Sequence, residues 1–469
     1  MLRLFMFSLM IVTLTVGLPG QAMSFTPIEE LGRFLYFDTN LSTPPGQACA
    51  SCHHPSAGFA DPDINLPVSM GIMKHRFGNR NSPSAAYMAF SPDFYWDETE
   101  EMYIGGQFWD GRAANLTEQA KGPFLNILEM NNPNKRHVVT KVEQSEYSDL
   151  FMEVYGPDAF DNVNMAYDNV AAAIAAFEST SELNQFTSKY DYYLADMAIL
   201  TEQEMSGLEL YNDPMAGNCA ACHPSTAGPY SEHPLLTDFS YDNLGVPKNW
   251  DNPFLAMPRK FNPGGMDFID YGLGGSLGDP AENGKFKVPT LRNIAVTPPY
   301  MHNGLFESLT EVVDFYNMRD TGDWGPPEVA MNVNEDELGD LGLTSEEVDA
   351  IVAFMLTLTD GYQLPSIRPA SEPGDPVGQA AATNYALHQN YPNPFNAQTN
   401  IQFDLAEATN VTLTIYNISG QLVTMLVNGN LNAGTHVVNF DASALSSGVY
   451  FYRLNAGSFA ADKKMVLMK

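Results

Sequence analysis

Apolar residues at helical spacing recur along the first part of the chain, and several of these stretches follow a helix-start signal. The segment Thr26–Glu29 combines an N-cap, a proline at the first helical position and a capping-box glutamate, which predicts a helix through about Phe37. The Ala-rich segment Asn169–Phe177 predicts another helix, which closes a first domain near residue 190. The pattern therefore indicates a mainly α-helical fold for this part of the chain.

The same plan appears again further along. A second capping box spans Thr201–Glu204 and is followed by the apolar positions Leu208 and Tyr211. A last predicted helix begins at about Thr344 and has Glu347 at its capping-box position. This helix places four apolar residues on one face: Ile351, Phe354, Met355 and Leu358.

The pattern changes after this helix. Four prolines between Pro365 and Pro376 mark a linker, which we assign to residues 365–384. From Ile401 onward, short runs such as Val411–Tyr416 alternate as strands do, and glycines separate them. Residues 385–469 are therefore predicted to form a small antiparallel β-sandwich.

The N-terminus has the pattern of a secretory signal peptide. Arg3 precedes an apolar run, Leu4–Leu18, and small residues follow up to Ala22. This run is shorter than the roughly 20 apolar residues that a spanning helix needs. We expect cleavage after residue 22 and a mature protein without a membrane span.

Composition narrows the classes of partner. The chain has 469 residues and a formal net charge of −33, which argues against nucleic acid because phosphates must be met by Lys and Arg. Hydrophobic residues still make up 44% of the chain, which is enough for packed cores. The acidic surface favours a basic partner.

All four cysteines fall in two copies of one motif, Cys49–His53 and Cys219–His223, each with the pattern Cys-x-x-Cys-His. Disulfides are the ordinary use of cysteine in exported proteins, but they do not explain the histidine that follows each pair. A zinc site of four cysteines would bring together pairs that lie about 170 residues apart, far beyond the usual spacing. The motif is the attachment signature of haem c, in which both thiols bind the haem and the histidine ligates the iron.

This assigns Cys49, Cys52, Cys219 and Cys222 to haem attachment, with His53 and His223 as axial iron ligands. Because each motif follows a predicted helix, we expect two cytochrome c-like units. The predicted organisation is a signal peptide at residues 1–22, an N-terminal haem domain at 23–192, a C-terminal haem domain at 193–364, the linker at 365–384 and the β-sandwich at 385–469.

Residues 26–362 resemble the bacterial di-haem cytochrome c peroxidases together with the MauG-type di-haem oxygenases. The resemblance begins at Leu31–Asp38 and includes both haem motifs. Its most specific blocks are Phe108–Ala113, then Gln119-Ala120, Gly122-Pro123 and Glu129-Met130, and later Val288–Asn293 and Pro299–Gly304.

The resemblance implies that the N-terminal haem is reactive and that the C-terminal haem is an electron reservoir. It places Trp109 between the haems as an electron relay, and Gln119 and Glu129 over the open face of the first haem. Glu129 would move a proton between the peroxide oxygens, while Gln119 would hydrogen-bond the peroxide or its water product. The resemblance also implies one calcium ion, held by the Asn81 side chain and by main-chain carbonyls of Thr297 and Pro299.

The sixth ligands of the two irons are less determined by the sequence. His302, in the Pro-Tyr-x-His block, is predicted to be structural near the second haem. Counting from His302 without a gap, Tyr316 takes the position of the sixth ligand, as in MauG-type enzymes, with Met318 or Met301 as alternatives. For the first iron, the nearby candidates are His54, Met73 and His75.

The tail resembles the C-terminal sorting domain of the type IX secretion system. The residues that carry this resemblance are Tyr391–Asn396, Ile415–Gly420 and Gly448–Phe451. A plain binding sandwich is the alternative. The resemblance implies export through the periplasm, with the type IX machinery as partner, and release or display at the cell surface.

Three functions follow from these observations. The first is reduction of hydrogen peroxide to water by a small electron-donor protein, such as a cytochrome c or a copper protein. The second is MauG-type oxidation of a protein or organic substrate. The third is electron transfer without catalysis, which requires strong protein ligands on both faces of both irons.

Overall fold

The computed structural model describes residues 25–364 and, in the tail, residues 385–467 apart from 389, 391, 392, 394, 396, 418–420, 444, 446, 447 and 458. The predicted signal peptide and linker therefore lie outside the described residues, as do several positions of the tail motifs. The residues described before 365 belong to one compact unit and those after 384 to a second. No helix in the described ranges combines the length and apolar character needed to cross a membrane.

The first unit consists of short helices joined by long loops, with two small antiparallel strand pairs, β1 with β2 and β3 with β4. In its first half the elements are α1 (Pro27–Phe37), β1 (Tyr95–Asp97), β2 (Met102–Ile104), α2 (Leu116–Leu125), α3 (Lys135–Glu143), α4 (Ser148–Tyr155), α5 (Val163–Glu178) and α6 (Lys189–Leu194). In its second half they are α7 (Glu202–Asn212), β3 (Tyr241–Asp242), α8 (Gly272–Leu277), β4 (Phe286–Lys287), α9 (Leu309–Met318) and α10 (Ser345–Leu356).

The four helices predicted from the apolar pattern are confirmed as α1, α5, α7 and α10. In α7, the Thr201 hydroxyl accepts a hydrogen bond from the backbone N–H of Glu204, and the Glu204 carboxylate accepts one from Thr201 N–H. These bonds satisfy backbone donors that have no partner inside the helix. Leu358, predicted to lie on the apolar face of the last helix, follows the end of α10 and is nevertheless buried.

The two halves repeat one helix crossing. Helix α1 packs against α5, and α7 packs against α10. At each crossing a glycine allows the backbones to approach closely, because a Cβ on Gly32 would lie 1.9 Å from the Ala173 carbonyl oxygen and a Cβ on Gly207 would lie 1.9 Å from that of Ala350. Each crossing fixes the position of the helix that precedes a Cys-x-x-Cys-His motif.

Two hydrophobic cores accompany these crossings. One core joins α1, α2, α3 and α5 and includes Leu35, Phe124 and Phe177. The other joins α7, α9 and α10 and includes Tyr211 and Phe354. Both cores lie within one compact unit, so the boundary between residues 192 and 193 stays a prediction.

The tail contains two antiparallel sheets. The strands are β5 (Ala386–Leu387), β6 (Gln398–Leu405), β7 (Thr409–Asn417), β8 (Leu422–Leu431), β9 (Gly434–Asp441), β10 (Gly448–Ala456) and β11 (Phe459–Leu467). One sheet has the order β11-β10-β7-β8 and the other β5-β6-β9. Alternate residues of β6 are buried, and both sheets contribute to one hydrophobic core that includes Phe403, Leu413 and Tyr452.

Candidate active site

One cavity in the first unit brings the two Cys-x-x-Cys-His motifs together. Its wall contains both cysteines and the histidine of each motif, although the motifs are far apart in sequence. All four cysteines are free thiols, so the described structure contains no disulfide between them. Within the described residues, the group of potential metal ligands around Cys222 includes one cysteine only, with Asp242 and Glu337, which does not fit a four-cysteine zinc site.

The first motif fits a haem iron ligand. A short 3₁₀ turn, Cys49–Ser51, leads to His53, whose backbone N–H donates to Cys49 O at 2.9 Å. The Nδ1 atom of His53 lies 3.2 Å from the Phe59 carbonyl oxygen, and a carbonyl can only accept, so the Nδ1 atom carries the hydrogen. Burial lowers the pKa of His53, which favours a neutral ring with a free Nε2 lone pair for iron.

The second motif repeats this geometry. His223 follows the turn Cys219–Ala221, its backbone N–H donates to Cys219 O at 2.9 Å, and its Nδ1 donates to Leu236 O at 2.8 Å. Burial lowers the pKa of His223 to about 4. In each half a tyrosine hydroxyl from the preceding helix also donates to the carbonyl of the motif histidine, Tyr36 to His53 at 2.8 Å and Tyr211 to His223 at 2.6 Å.

The residues predicted to act on peroxide lie on the wall of this cavity. Gln119 belongs to α2, and Glu129 follows that helix in a turn. The Asn126 amide donates to Glu129 Oε1 at 2.6 Å, which fixes the carboxyl and leaves Oε2 available. Burial raises the pKa of Glu129, while the Asn126 hydrogen bond and the Arg112 charge oppose that shift.

Trp109 lies at the junction of the two halves and also lines the cavity. Its indole Nε1 donates to the carbonyl of Asn81 at 2.9 Å, and its own carbonyl accepts from the backbone N–H of Lys287 at 2.8 Å. The indole is therefore bound to a loop of the first half, and the Trp109 backbone is bound to strand β4 of the second.

The three residues predicted to bind calcium are brought to the same cavity wall: Asn81, Thr297 and Pro299. The Asn81 amide nitrogen donates to Pro67 O at 3.3 Å, so its side-chain oxygen is the atom available to a cation. His302 adjoins this loop, and its carbonyl accepts from Asn81 N–H at 2.7 Å. Its ring stacks on Phe286 with centroids 3.6 Å apart, which agrees with a structural role.

The candidates for the sixth ligand of the second iron differ in whether they line the cavity. Tyr316, on α9, lines the cavity, and burial together with the neighbouring thiols Cys222 and Cys219 raises its pKa. Met318 is 40% exposed and lies away from the cavity wall, whereas Met301 lies on it. The geometry therefore leaves Tyr316 and Met301 as candidates.

The candidates for the first iron are placed differently. His54 and His75 are exposed, and the His54 ring nitrogen Nδ1 is hydrogen-bonded to the Ser56 hydroxyl. Neither histidine lines the cavity, and Met73 does not line it either. The described wall instead includes Gln119 and Glu129.

The buried ionisable residues on the cavity wall that were not predicted include Lys287 and Glu178. Lys287 donates from Nζ to Gly106 O at 2.7 Å, and burial lowers its pKa to about 7. Glu178 ends α5, and burial raises its pKa to about 8. Their sequence signals are slight, because Lys287 directly precedes the block Val288–Asn293 and Glu178 directly follows the predicted helix Asn169–Phe177.

Comparisons with known proteins agree with this geometry. Residues 27–198 match the family model described as di-haem cytochrome c peroxidase, and residues 389–468 match that of a secretion system C-terminal sorting domain. The chain is 38% identical over 364 residues to the methylamine utilization protein MauG of Paracoccus denitrificans, covering 73% of this chain and 92% of that protein. It is 31% identical over 348 residues to a cytochrome c551 peroxidase of Nitrosomonas europaea, covering 73% and 84%. The solved structure of the diheme peroxidase BthA from Burkholderia thailandensis aligns with a TM-score of 0.63 at 33% identity, covering 71% of this chain and 86% of that one.

Proposed function

The chain belongs to the di-haem cytochrome c peroxidase family, and from that premise we propose that it reduces hydrogen peroxide to water with electrons from a small redox protein such as a cytochrome c or a copper protein. It is an oxidoreductase, and its family implies two haem c groups on the two motifs. The observation that carries the proposal is the single cavity wall that contains both motifs together with Glu129, Gln119 and Trp109.

The two haem groups, attached through Cys49, Cys52, Cys219 and Cys222, would supply one iron that binds peroxide and another that stores an electron. Glu129 moves the proton. Its free Oε2 takes a proton from one peroxide oxygen and returns it to the other, while the Asn126 amide holds Oε1 in place. The raised pKa brings this carboxyl closer to the working pH, where it can both take and return a proton.

Gln119 and Trp109 position the reactants and the electron path. The Gln119 amide, on the same wall as Glu129, donates a hydrogen bond to the peroxide or to the water formed from it. The Trp109 indole donates to the Asn81 carbonyl and the Trp109 backbone carbonyl accepts from Lys287 N–H, so side chain and backbone are both fixed at the junction of the two halves. A fixed aromatic ring at this junction supports electron transfer without large rearrangement.

A second function is favoured by one residue. We propose that His223 and Tyr316 would hold the second iron, because Tyr316 lines the cavity near Cys222 and Cys219 while Met318 does not line it. An anionic oxygen ligand stabilises oxidised iron and disfavours storage of an electron. With Tyr316 as ligand, the enzyme would oxidise a protein or organic substrate in the manner of MauG, to which it is 38% identical.

We also propose a calcium ion at the junction of the halves, bound by the Asn81 side-chain oxygen and the carbonyls of Thr297 and Pro299. All three residues lie on one wall, and the amide nitrogen of Asn81 is already engaged with Pro67. Oxygen-only ligands completed by water suit calcium.

The tail implies secretion by the type IX system. We propose that its two sheets form a β-sandwich that the type IX machinery recognises, attached to a mainly α-helical enzyme of two cytochrome c-like units. Cleavage of residues 1–22 would admit the protein to the periplasm, and the tail would direct it across the outer membrane, to be released or displayed on the cell surface.

Steady-state kinetics test the proposed reaction. The full-length protein loaded with haem is mixed with a reduced small cytochrome c, and donor oxidation is followed after peroxide is added. We expect saturable turnover in which two donor molecules are oxidised for each peroxide consumed. Donor oxidation no faster than with the same amount of peroxide alone would contradict the proposal.

A further inference from the structure

Glu178 is a carboxyl buried inside the first unit. It is 5% exposed, it lies at the C-terminal end of α5 on the wall of the haem cavity, and its Oε2 has no hydrogen-bond partner among the described residues. An unpaired carboxyl in such a place is costly to bury when ionised, so it holds its proton. Burial correspondingly raises the pKa of Glu178 to about 8.

The repeat within the chain shows that this carboxyl is not required by the packing. The contact of Gly32 with Ala173 in the first half corresponds to that of Gly207 with Ala350 in the second. Counting the same number of residues onward along α5 and α10, Glu178 corresponds to Met355, which is buried and also lines the cavity. An apolar side chain serves in the second half where the first half has a carboxyl.

We propose that Glu178 is a proton-binding site coupled to the oxidation state of the first haem. Its carboxyl keeps a proton while that haem is reduced and releases the proton to water when the haem loses one electron to an oxidant. The O–H bond of the carboxyl is the bond that breaks, and reduction reverses the change. The inference rests on the proposed function only in requiring haem at the Cys49–His53 motif.

The coupling follows from electrostatics. A carboxylate beside the haem lowers the free energy of the oxidised form, which has one more positive charge, and the interaction is little screened inside the protein. By linkage, oxidation must lower the pKa of Glu178 by the same free energy. The anion therefore favours oxidation of this haem, whereas the second half has the apolar Met355 at the corresponding position.

The charged groups around Glu178 leave this coupling intact. Tyr36, on α1, is neutral because burial raises its pKa, and the Cys49 thiol stops titrating once it forms a thioether. Glu129 is the other carboxyl that acts on Cys49, and the 3₁₀ turn Met88–Phe90 packed against α5 has no ionisable residue. Three cations on elements packed against α5 have partners of their own: Arg33 with Glu182, Lys121 with Asp168, and Lys135 over the Tyr167 ring.

Potentiometry on the full-length, haem-loaded protein tests the proposal. The midpoint potential of the first haem is measured by absorption at a series of pH values on both sides of about 8. In the wild type we expect the potential to fall as pH rises, approaching a tenfold change in the reduction equilibrium per pH unit, or roughly 59 mV. Glu178→Gln should remove this dependence near that pH, whereas the matched control Glu182→Gln, four residues later in the chain, should keep it. An unchanged dependence in Glu178→Gln would overturn the proposal.

Two further measurements test the same coupling independently of the Glu178→Gln variant. Met355→Glu should give the second haem a pH dependence of the same sign, while the first haem keeps its own. If Glu178→Gln does not retain haem, the infrared difference spectrum of the wild type between its reduced and oxidised forms decides: a protonated carboxyl band should be lost on oxidation, and it should still be lost in Glu129→Gln. Absence of that loss would contradict the proposal. Because no peroxide is used, a protein without peroxidase activity would fail the kinetic test above and still pass this one.

Discussion

At the scale of single residues, the first haem site depends on Glu129. The carboxyl is fixed by Asn126 at 2.6 Å and lines the cavity that contains Cys49 and His53. A positioned acid–base group contributes roughly 10²–10⁴-fold to a rate. Its effect should therefore be separable from cofactor binding, which depends on the motif residues.

We predict that Glu129→Gln keeps both haems and lowers peroxide turnover by about 10² or more. The glutamine retains the size of the side chain but cannot take a proton at neutral pH. The control is Glu118→Gln, which changes the same residue type on the exposed side of α2, where Glu118 pairs with Lys121 at 2.7 Å. Equal turnover in both variants would remove Glu129 from the mechanism.

Tyr316 gives a spectroscopic prediction. Tyr316→Phe removes the phenol oxygen but keeps the ring that packs in the cavity, so the second haem should lose its low-spin signature in electron paramagnetic resonance while the first is unchanged. Met318→Leu is the control, because Met318 is exposed. A methionine-to-iron charge-transfer band in the wild type would contradict the assignment and would favour Met301.

The residues that could be predicted from sequence are those within short motifs or at fixed spacing from them. Trp109, Gln119 and Glu129 reach one cavity wall together with both motifs, as expected from the resemblance. Glu178 could not be predicted, because it is distinguished only by its burial, and burial depends on how α5 packs on α1. A glutamate at the end of a helix is otherwise an ordinary surface residue.

At the scale of elements, the close crossings of α1 with α5 and of α7 with α10 fix the positions of the helices that precede the two Cys-x-x-Cys-His motifs. Capping boxes and apolar spacing predicted these helices, because both signals are local. The strand pairs β1–β2 and β3–β4 were not predicted, since strands of two or three residues contain no measurable period. The crossings themselves need long-range contacts, which a single sequence does not display.

The crossing glycine of the second half gives a stability prediction. A Cβ at Gly207 would lie 1.9 Å from Ala350 O. The Ala350 backbone can move away from this Cβ only if α7 and α10 separate. Gly207→Ala should lower the free energy of unfolding by about 1–3 kcal/mol or more, measured by denaturant unfolding followed by circular dichroism. Gly228→Ala is the matched control, because a Cβ there meets no atom within 4 Å. Equal stability of the two variants would contradict the close crossing.

At the scale of the whole molecule, the enzyme and its sorting domain are separate compact units. The boundary between them was predicted from proline content and a change of period, which are strong signals. The predicted boundary between the two haem domains does not separate two independent units, because hydrogen bonds of Trp109 with Asn81 and Lys287 connect the halves along one cavity.

Deletion of residues from 366 onward should leave the haem spectrum and peroxide turnover unchanged, while the protein no longer reaches the outside of the cell. The first unit has its own cores and contains every residue assigned to haem or peroxide. The measurements are absorption spectra of the purified truncated protein and its amount in cell and medium fractions. Failure of the truncated chain to take up haem would show that the tail is needed for folding.

Paired action of two haems in one cavity can be tested by a single anaerobic titration. Full-length protein whose denatured mass contains two haems is fully reduced, freed of excess reductant and titrated with hydrogen peroxide while absorption is recorded. Two electrons convert one peroxide to two waters, so both haems should be oxidised at an end point of one peroxide per chain. An end point at which only one haem has been oxidised, or no oxidation by peroxide, would contradict paired peroxide reduction by this cavity.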